Sequence, residues 1–488
     1  MFPLTYRSSP HALAALSLSL LAGCASTHGL APQSTQLDPD RLAATATLKD
    51  AALPVRADAW PGERWWGEFG DPQLSQLIEA GLAGSPTLRI AAARVRLAEA
   101  EVQAAGARQP PHLNADAETV RGRFADHGFL PPPLAGNYDT VFQLEATLSW
   151  SIDFWGKDRA AYEQTLGLRR AAQLDAAEAR LSLSVNIAQL YVQLQQDFLS
   201  LDVAQEALRQ REQIFQLTRD RNAAGIDSRL ELKQAEAAVP AARERIEQLQ
   251  EAAAHTRNAL AALIGAGPDR ALAITRPAAQ ALAAPALPAV LPAELIGRRP
   301  DVLAQRERIE AARQGVKSAR ADFYPNVNLL AFAGVMDIGP AGLFSWGNRQ
   351  YGVAPAVTLP LFDAGRRRAN LAAQDAQEDA EVERYNQAIA DALRDVADQL
   401  TSLRSLGEQR GEQRTALAAA QEAYDLAVLR YREGVGNYLQ VLSTETQLLA
   451  QRDLDAELSA RSLLLSVNLI RALGGGLTPT ASQPATGG

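Results

Sequence analysis

FQLEATLSWSIDFWGKDRA, residues 142–160, decides the fold, because a strand, a turn and the start of a helix are all legible in it. Phe142, Leu144, Ala146, Leu148, Trp150 and Ile152 alternate with Gln143, Glu145, Thr147, Ser149, Ser151 and Asp153, the pattern of a strand with one apolar and one polar face. Beyond Gly156 the alternation stops, and from Lys157 to Ala224 there is no proline and a single glycine. Ile187, Leu194, Leu201, Leu208 and Phe215 recur there every seven residues, the spacing of a coiled-coil seam. Nearly seventy helical residues rise about 100 Å, roughly three times the hydrocarbon thickness of a bilayer. Arg, Glu, Asp and Gln occur throughout, so the rod is predicted to stand in water.

The stretch has a second copy. LSWSIDFWGKDRA from Leu148 aligns with VTLPLFDAGRRRA from Val357 at an offset of 209, pairing Gly156 with Gly365 and Arg159 with Arg368. At the same offset RNAAGIDSRLELKQAE from Arg221 aligns with RYREGVGNYLQVLSTE from Arg430, pairing Gly225 with Gly434 and Leu230 with Leu439. Upstream, SPTLRIAAARVRLAEA from Ser85 matches RPDVLAQRERIEAARQ from Arg299 at an offset of 214, with Pro111 paired to Pro325. The five-residue difference places a loop between the matched blocks.

Each half therefore follows one order, in a first repeat over 85–264 and a second over 299–473. A proline-initiated helix (Pro86 to Arg108; Pro300 to Asp322) precedes a strand pair at about 112–153 and about 326–362. A long helix follows (157–224; 366–432), then a glycine turn and a further helix (228–264; 437–473). Val382, Ile389, Val396 and Leu403 mark the second heptad seam. The partner strands, Leu113 to Arg123 and Val327 to Val335, are weaker, and Pro355 is awkward inside a paired strand. Residues 265–298, rich in Ala with five prolines between Gly265 and Pro292, are predicted to be an extended linker in an equatorial region. The segment 24–84 is predicted to be extended before it joins that region, and 474–488 to be a flexible tail.

Composition excludes several classes. The formal charge is −8 and no basic block occurs, which argues against a nucleic-acid surface. The five histidines, His11, His28, His112, His127 and His255, show no metal-ligand spacing. No phosphate loop ending in Lys-Ser/Thr and no Gly-x-Ser-x-Gly elbow is present. No enzymatic activity, metal or cofactor is expected.

The only cysteine, Cys24, stands in LLAGCAST behind Arg7 and the short apolar run Ala12 to Ala22, which has the length of a secretory h-region. Leu21-Ala22-Gly23-Cys24 resembles the bacterial lipobox, which implies a signal peptide over 1–23 and a covalent lipid, palmitate included, on Cys24. Each buried CH₂ contributes ~0.8 kcal/mol to such an anchor. Ala25 follows where Asp would retain a lipoprotein in the inner membrane, which favours the outer membrane.

Four strands cannot close a barrel, and an open edge is not tolerated in lipid. Two chains would give eight strands with a filled interior, whereas three give twelve and leave a lumen. The fold class expected is mainly α with a small β part, internally duplicated: a long antiparallel α-helical coiled-coil barrel plus a 12-stranded β-barrel completed by three chains. WWGEFGDPQL from Trp65, LSWSIDFWGK from Leu148, AELIGRRPDV from Ala293, ADFYPNVNL from Ala321, LPLFDAGR from Leu359 and RYREGVGNYLQVL from Arg430 carry a resemblance. With them the chain resembles the outer-membrane factor (TolC-type) family of tripartite efflux systems, in the lipoprotein branch of OprM and NodT.

The resemblance implies a homotrimeric exit duct that conducts passively across the periplasm and outer membrane. A periplasmic adaptor (membrane fusion) protein docks on its tips, and an inner-membrane pump supplies energy. It places the tips at the Gly225 and Gly434 turns, with Arg221, Asp227, Arg430, Tyr431 and Tyr438 facing the adaptor or the constriction. The family often has an acidic residue in VLDAQ; here that position is Ser443, the nearest carboxylate is Glu445, and Gln440 carries no charge. The competing reading is a soluble periplasmic coiled-coil scaffold held only by its lipid, which would need neither the one-sided strands nor the duplication.

Overall fold

The computed structural model describes residues 27, 29–38, 55–56, 60–127, 131–278, 287–288, 297–360 and 362–477. Cys24 and the expected signal segment lie outside the described residues. The chain is mainly α with a small β part. Among the described residues no helix is long and apolar enough to cross a membrane. The chain divides into two units.

One unit comprises the residues up to Gln36, Val95–Ala172 and Gln305–Tyr385. It holds a four-stranded antiparallel sheet in the order β2 (His112–Arg123), β3 (Tyr138–Ile152), β5 (Asn326–Ile338), β6 (Arg349–Thr358). Residues directly opposite share a face. Leu113, Leu148, Ala331 and Val353 therefore form one row across the sheet, and Ala115, Ala146, Ala333 and Tyr351 the next. The opposite face carries Asp116, Glu145, Gly334 and Gln350 in one row. This is the one-sided apolarity legible in residues 142–153. Pro355 does lie in β6, opposite Leu329, and β6 is an edge strand where a missing donor can face away from the neighbour. The strand stops at Thr358 rather than about 362, two residues before Pro360.

Helices flank the sheet in both copies: α2 (Pro86–Gly106) precedes β2 and α6 (Pro300–Ala321) precedes β5. The long helices α3 (Lys157–Ala223) and α7 (Arg366–Arg432) start after β3 and β6. Within this unit the start of α3 packs closely on α6: a Cβ placed on Gly167 would lie 3.0 Å from that of Ala311. Trp155 donates from Nε1 to the Pro325 carbonyl at 2.8 Å and stacks on Tyr324 at 4.6 Å. The N-terminal stretch lies along α7, with the amides of Gln33 and Ser34 both donating to Asp379 Oδ1 at 2.7 Å. Leu30 packs on Val316, Ala319, Phe323 and Leu371.

The second unit comprises Leu37–Arg94, Gln173–Ala304 and the residues from Asn386 onward. It contains the remainder of α3 and α7 with their antiparallel partners α4 (Arg229–Leu263) and α8 (Tyr438–Ala472). Ile187, Leu194 and Leu201 are buried, as are Ile389 and Val396 of the second seam, whereas Leu208 and Phe215 are half-buried. Its largest core gathers Trp65, Trp66, Phe69, Leu74, Leu77 and Ile78 against Leu183, Val185, Ile187, Leu194, Leu260 and Ile470.

Three expectations are corrected in this unit. The segment 24–84 is not simply extended: Trp65–Phe69 form a 3₁₀ turn and Pro72–Gly84 the helix α1, capped by Asp71, which accepts from the amides of Gln73 (2.8 Å) and Leu74 (3.2 Å). Pro72 at the first turn and a following apolar run made that helix legible, and the reading missed it. The linker 265–298 is not merely extended either. It holds the single turn α5 (Asp269–Leu272), fully buries Ile274 and lets Thr275 donate its amide to Gln73 Oε1 at 2.9 Å. Further on, β4 (Leu287–Pro288) pairs with β1 (Val55–Arg56) in parallel. The tail begins packed rather than flexible, since side chains at Gly474 and Gly476 would collide with the Arg298 and Gly62 carbonyls.

Leu77 is fully buried where α1 meets the helices. Leu77→Ala is expected to destabilise this unit by about 3 kcal/mol through lost burial and a residual cavity. The check is the midpoint of guanidinium unfolding followed by far-UV circular dichroism in detergent.

Candidate functional site at the helix tips

Both hairpins turn on a glycine. Gly225 (φ 75°) joins α3 to α4 and Gly434 (φ 79°) joins α7 to α8, each in the left-handed region that side chains with a Cβ disfavour. The amide of Ile226 donates to the Arg221 carbonyl at 2.9 Å, and 209 residues later that of Val435 donates to Arg430 at 3.0 Å. The helices that follow are capped locally. Ser228 forms a capping box with Glu231, and Asn437 Oδ1 accepts the Gln440 amide at 2.9 Å.

The two turns are locked together by side chains. Arg221 grips Asp227 with two bonds, Nε to Oδ2 at 3.0 Å and Nη2 to Oδ1 at 3.1 Å. Its third nitrogen, Nη1, donates to the Tyr431 carbonyl of the other hairpin at 2.8 Å, and its guanidinium lies 4.5 Å from the centre of the Tyr431 ring. The Tyr431 hydroxyl returns a bond to Asp227 Oδ2 at 2.5 Å and lies 2.8 Å from Thr218 Oγ1. Asn222 donates to the Asp227 carbonyl at 2.8 Å. Tyr438 packs edge-on to Tyr431 at 6.4 Å. Nearer the helix bodies, Arg211 Nε donates to Glu445 at 2.7 Å.

Charges follow this geometry. Burial pushes the Asp227 carboxyl up, but the bonds from Arg221 and Tyr431 outweigh it and leave it below the ordinary 3.8. The bond to Asp227 raises the Arg221 guanidinium despite partial desolvation. Burial, then the bond to Asp227, pushes Tyr431 up to about 12. Burial also raises Tyr438.

The expected tip residues thus fall into two sets. Arg430, Gln440 and Ser443 are exposed, and Arg430 reaches only the Val435 carbonyl of its own turn, at 3.3 Å. Arg221, Tyr431 and Tyr438 are buried within the chain, Tyr431 completely, and Asp227 is half-buried, so the expectation that these four face the adaptor or the constriction is corrected; Glu445 is buried as well. Glu445 is not a free carboxylate beside Ser443, since Arg211 neutralises it. Sequence reasoning missed Thr218, Asn222 and Arg211. The available signal was a polar residue at a buried helix position, as Thr218 sits one turn beyond Ile214.

One unit thus holds a four-stranded sheet with two unpaired edges, and the other holds two helical hairpins whose ends are cross-locked. The outer membrane efflux protein family matches residues 77–266 and 291–475, and the chain belongs to it. It is 32% identical over 469 residues to the multidrug resistance outer membrane protein MdtP of Escherichia coli, covering 94% of this chain and 95% of that one. It is 33% identical over 463 residues to the pyoverdine export outer membrane protein OpmQ of Pseudomonas aeruginosa, covering 94% and 97%. The crystal structure of the outer membrane protein VceC from Vibrio cholerae superposes with a TM-score of 0.80 at 34% identity, over 86% of this chain and all of that one. The protein is an outer-membrane exit duct for efflux.

A carboxyl held below its ordinary value stabilises the fold at all pH values above that ordinary value, and the contribution disappears as pH falls through the lowered one. The lock should therefore be constant from neutrality to about pH 4 and loosen only below 3.8. Tyr431 works in the opposite sense, its contribution being present below 10 and lost as pH rises toward about 12. In planar bilayers, wild-type conductance should step up only in strongly acidic buffer, whereas Asp227→Asn should start higher and lack that step.

Proposed function

We propose that the chain works as a homotrimer whose three sheets close a twelve-stranded barrel. A periplasmic adaptor docks at the hairpin tips, and an inner-membrane pump drives cargo into the duct. The sheet supports this reading because β2 and β6 are both unpaired edges within one chain, and lipid does not tolerate unpaired backbone amides.

The observation that carries the gating part is the Arg221–Asp227–Tyr431 lock. It ties the first hairpin to the second inside one chain, so the aperture opens when adaptor binding favours the arrangement in which the hairpins separate. Arg221→Ala would leave Asp227 without its cation, a loss of about 3 kcal/mol to the closed form. Single-channel conductance should rise for Arg221→Ala and Tyr431→Phe and stay at the wild-type level for Arg430→Ala, whose side chain bonds only its own turn. Equal conductance in all four proteins would sink this gate.

The lipid is proposed on Cys24, giving the duct a membrane anchor independent of its sheet. The support is the seating of Leu30 beside Phe323, next to the Trp155–Tyr324 stack at the start of β5. Aromatic residues favour such membrane–water interfaces. Radiolabelled palmitate should be incorporated by the wild type and not by Cys24→Ser, and label retained by Cys24→Ser would reject the assignment. Cys24→Ser should still be extracted only by detergent, because the barrel remains; release by high salt would instead favour a scaffold tethered by lipid alone.

A further inference from the structure

The sheet sorts its charges by face. Among the described residues of its four strands, Arg121, Arg123 and Arg349 are the only arginines, lysine is absent, and all three lie on the apolar face. Arg349 stands in the row of Leu144 and Val335, Arg121 opposite Thr140 and Arg123 opposite Tyr138. The other face of the same strands carries Asp116, Glu118, Asp139 and Glu145. A single carboxylate, Asp337, shares the arginines' face, opposite Phe142.

The arginines also gather toward one end. The helices adjoin the end of the sheet that carries Ile152, and the arginines stand toward the opposite, hairpin end. Thr140, the partner of Arg121, lies twelve residues before Ile152 on β3. At about 3.4 Å per residue and a tilt of about 40°, that is a climb of about 31 Å, against about 25 Å for the outward apolar band of an outer-membrane barrel. Arg121 and Arg123 therefore clear the hydrocarbon and reach the level of the headgroups. Arg349 starts lower, but its guanidinium lies 3.6 Å from the centre of the Trp346 ring, three residues nearer the hairpin loop. Its long side chain thus carries the charge away from the apolar rows.

These charges are largely unanswered by the protein. Among the described residues Arg121 has no bonded partner, Arg349 meets only the Trp346 ring, and Arg123 alone has a carboxylate, Asp126 at 2.9 Å. All three are exposed, and so are Tyr138, Tyr351 and Trp346 beside them. Water would serve an arginine anywhere on the surface, and does not account for confinement to one face and one end. A guanidinium fork matches phosphate oxygens, and Trp and Tyr favour the boundary between headgroups and acyl chains.

We propose that this patch binds the phosphate groups of a phosphorylated glycolipid in the leaflet at the hairpin end, opposite the leaflet that would take the Cys24 lipid. Arg121 and Arg349 supply the phosphate contacts, and Arg123 adds to the local positive field. The occupant is a lipid and not free phosphate, because the same face runs on into the rows of Leu113, Leu148, Ala331 and Val353, which suit acyl chains. The proposal rests on the reading of the sheet as barrel wall with its apolar face outward.

The test titrates the full-length protein in detergent with bisphosphorylated lipid A, dephosphorylated lipid A or inorganic phosphate, and reads the lipid retained per chain by native mass spectrometry. The bisphosphorylated form should bind about tenfold more tightly than the dephosphorylated one. Arg121→Gln/Arg123→Gln/Arg349→Gln should erase that preference. Arg243→Gln/Arg245→Gln/Arg414→Gln, which removes the same charge from exposed helix positions, should keep it. Equal binding of the two lipid forms, equal loss in both variants, or displacement of the lipid by an equal concentration of inorganic phosphate overturns the patch. Light scattering on the same samples separates this from the barrel. A trimer without phosphate preference overturns the patch alone, whereas a monomer stable without detergent overturns the barrel and the patch together.

Discussion

A backbone amide in hydrocarbon has no water to turn to, and this single constraint organises the molecule. The sheet satisfies it everywhere except at β2 and β6, where each chain offers a full row of unpaired groups. A longer chain could have supplied more strands. This one instead carries a duplicated hairpin in which each of the ten β5–β6 pairs repeats a β2–β3 pair.

The water-filled part of the path meets a different constraint. Long polar helices gain little from propensity alone and are held by the apolar seams between them. Small residues occupy much of that seam, including Ala204, Ala207, Ala235 and Ala242, which limits the area each turn can bury. Discrete polar pairs then fix which helices meet: Arg211 with Glu445, and Arg221 with Asp227 and Tyr431. A buried ion pair seldom adds much net stability, but breaking one is costly, so it selects one arrangement over its alternatives. That property suits long hairpins that must meet in one arrangement.

Much of this was legible in the residues. Period two in residues 142–153 and period seven from Ile187 onward each reflect a single buried face, so they survive translation into structure almost unaltered. The turn glycines Gly225 and Gly434 were visible because only a residue without a Cβ sits easily at positive φ. The parts that stayed hidden depend on contacts between distant segments. The linker looked extended because Ala and Pro dominate it, yet Ile274 and Thr275 are held by α1, whose position no local pattern reveals. Tyr431 and Arg221 looked like exposed tip residues because loops are usually exposed. Their burial follows from the other hairpin, more than two hundred residues away.

The tips also show where the two copies differ. Arg221 aligns with Arg430, Asn222 with Tyr431 and Asp227 with Gly436. Two turns kept identical would present an arginine and an aspartate each, satisfied within themselves and indifferent to one another. In the second copy a Cβ at position 436 would stand 3.0 Å from the backbone of Arg430 and Tyr431, so no carboxylate is accommodated there and Arg430 is left on the surface. The tyrosine beside it takes the place of Asn222 and reaches across to the one carboxylate that remains. The lock is therefore divided between the copies: the first turn supplies the charges, the second supplies the ring and the carbonyl, and neither is complete without the opposite hairpin.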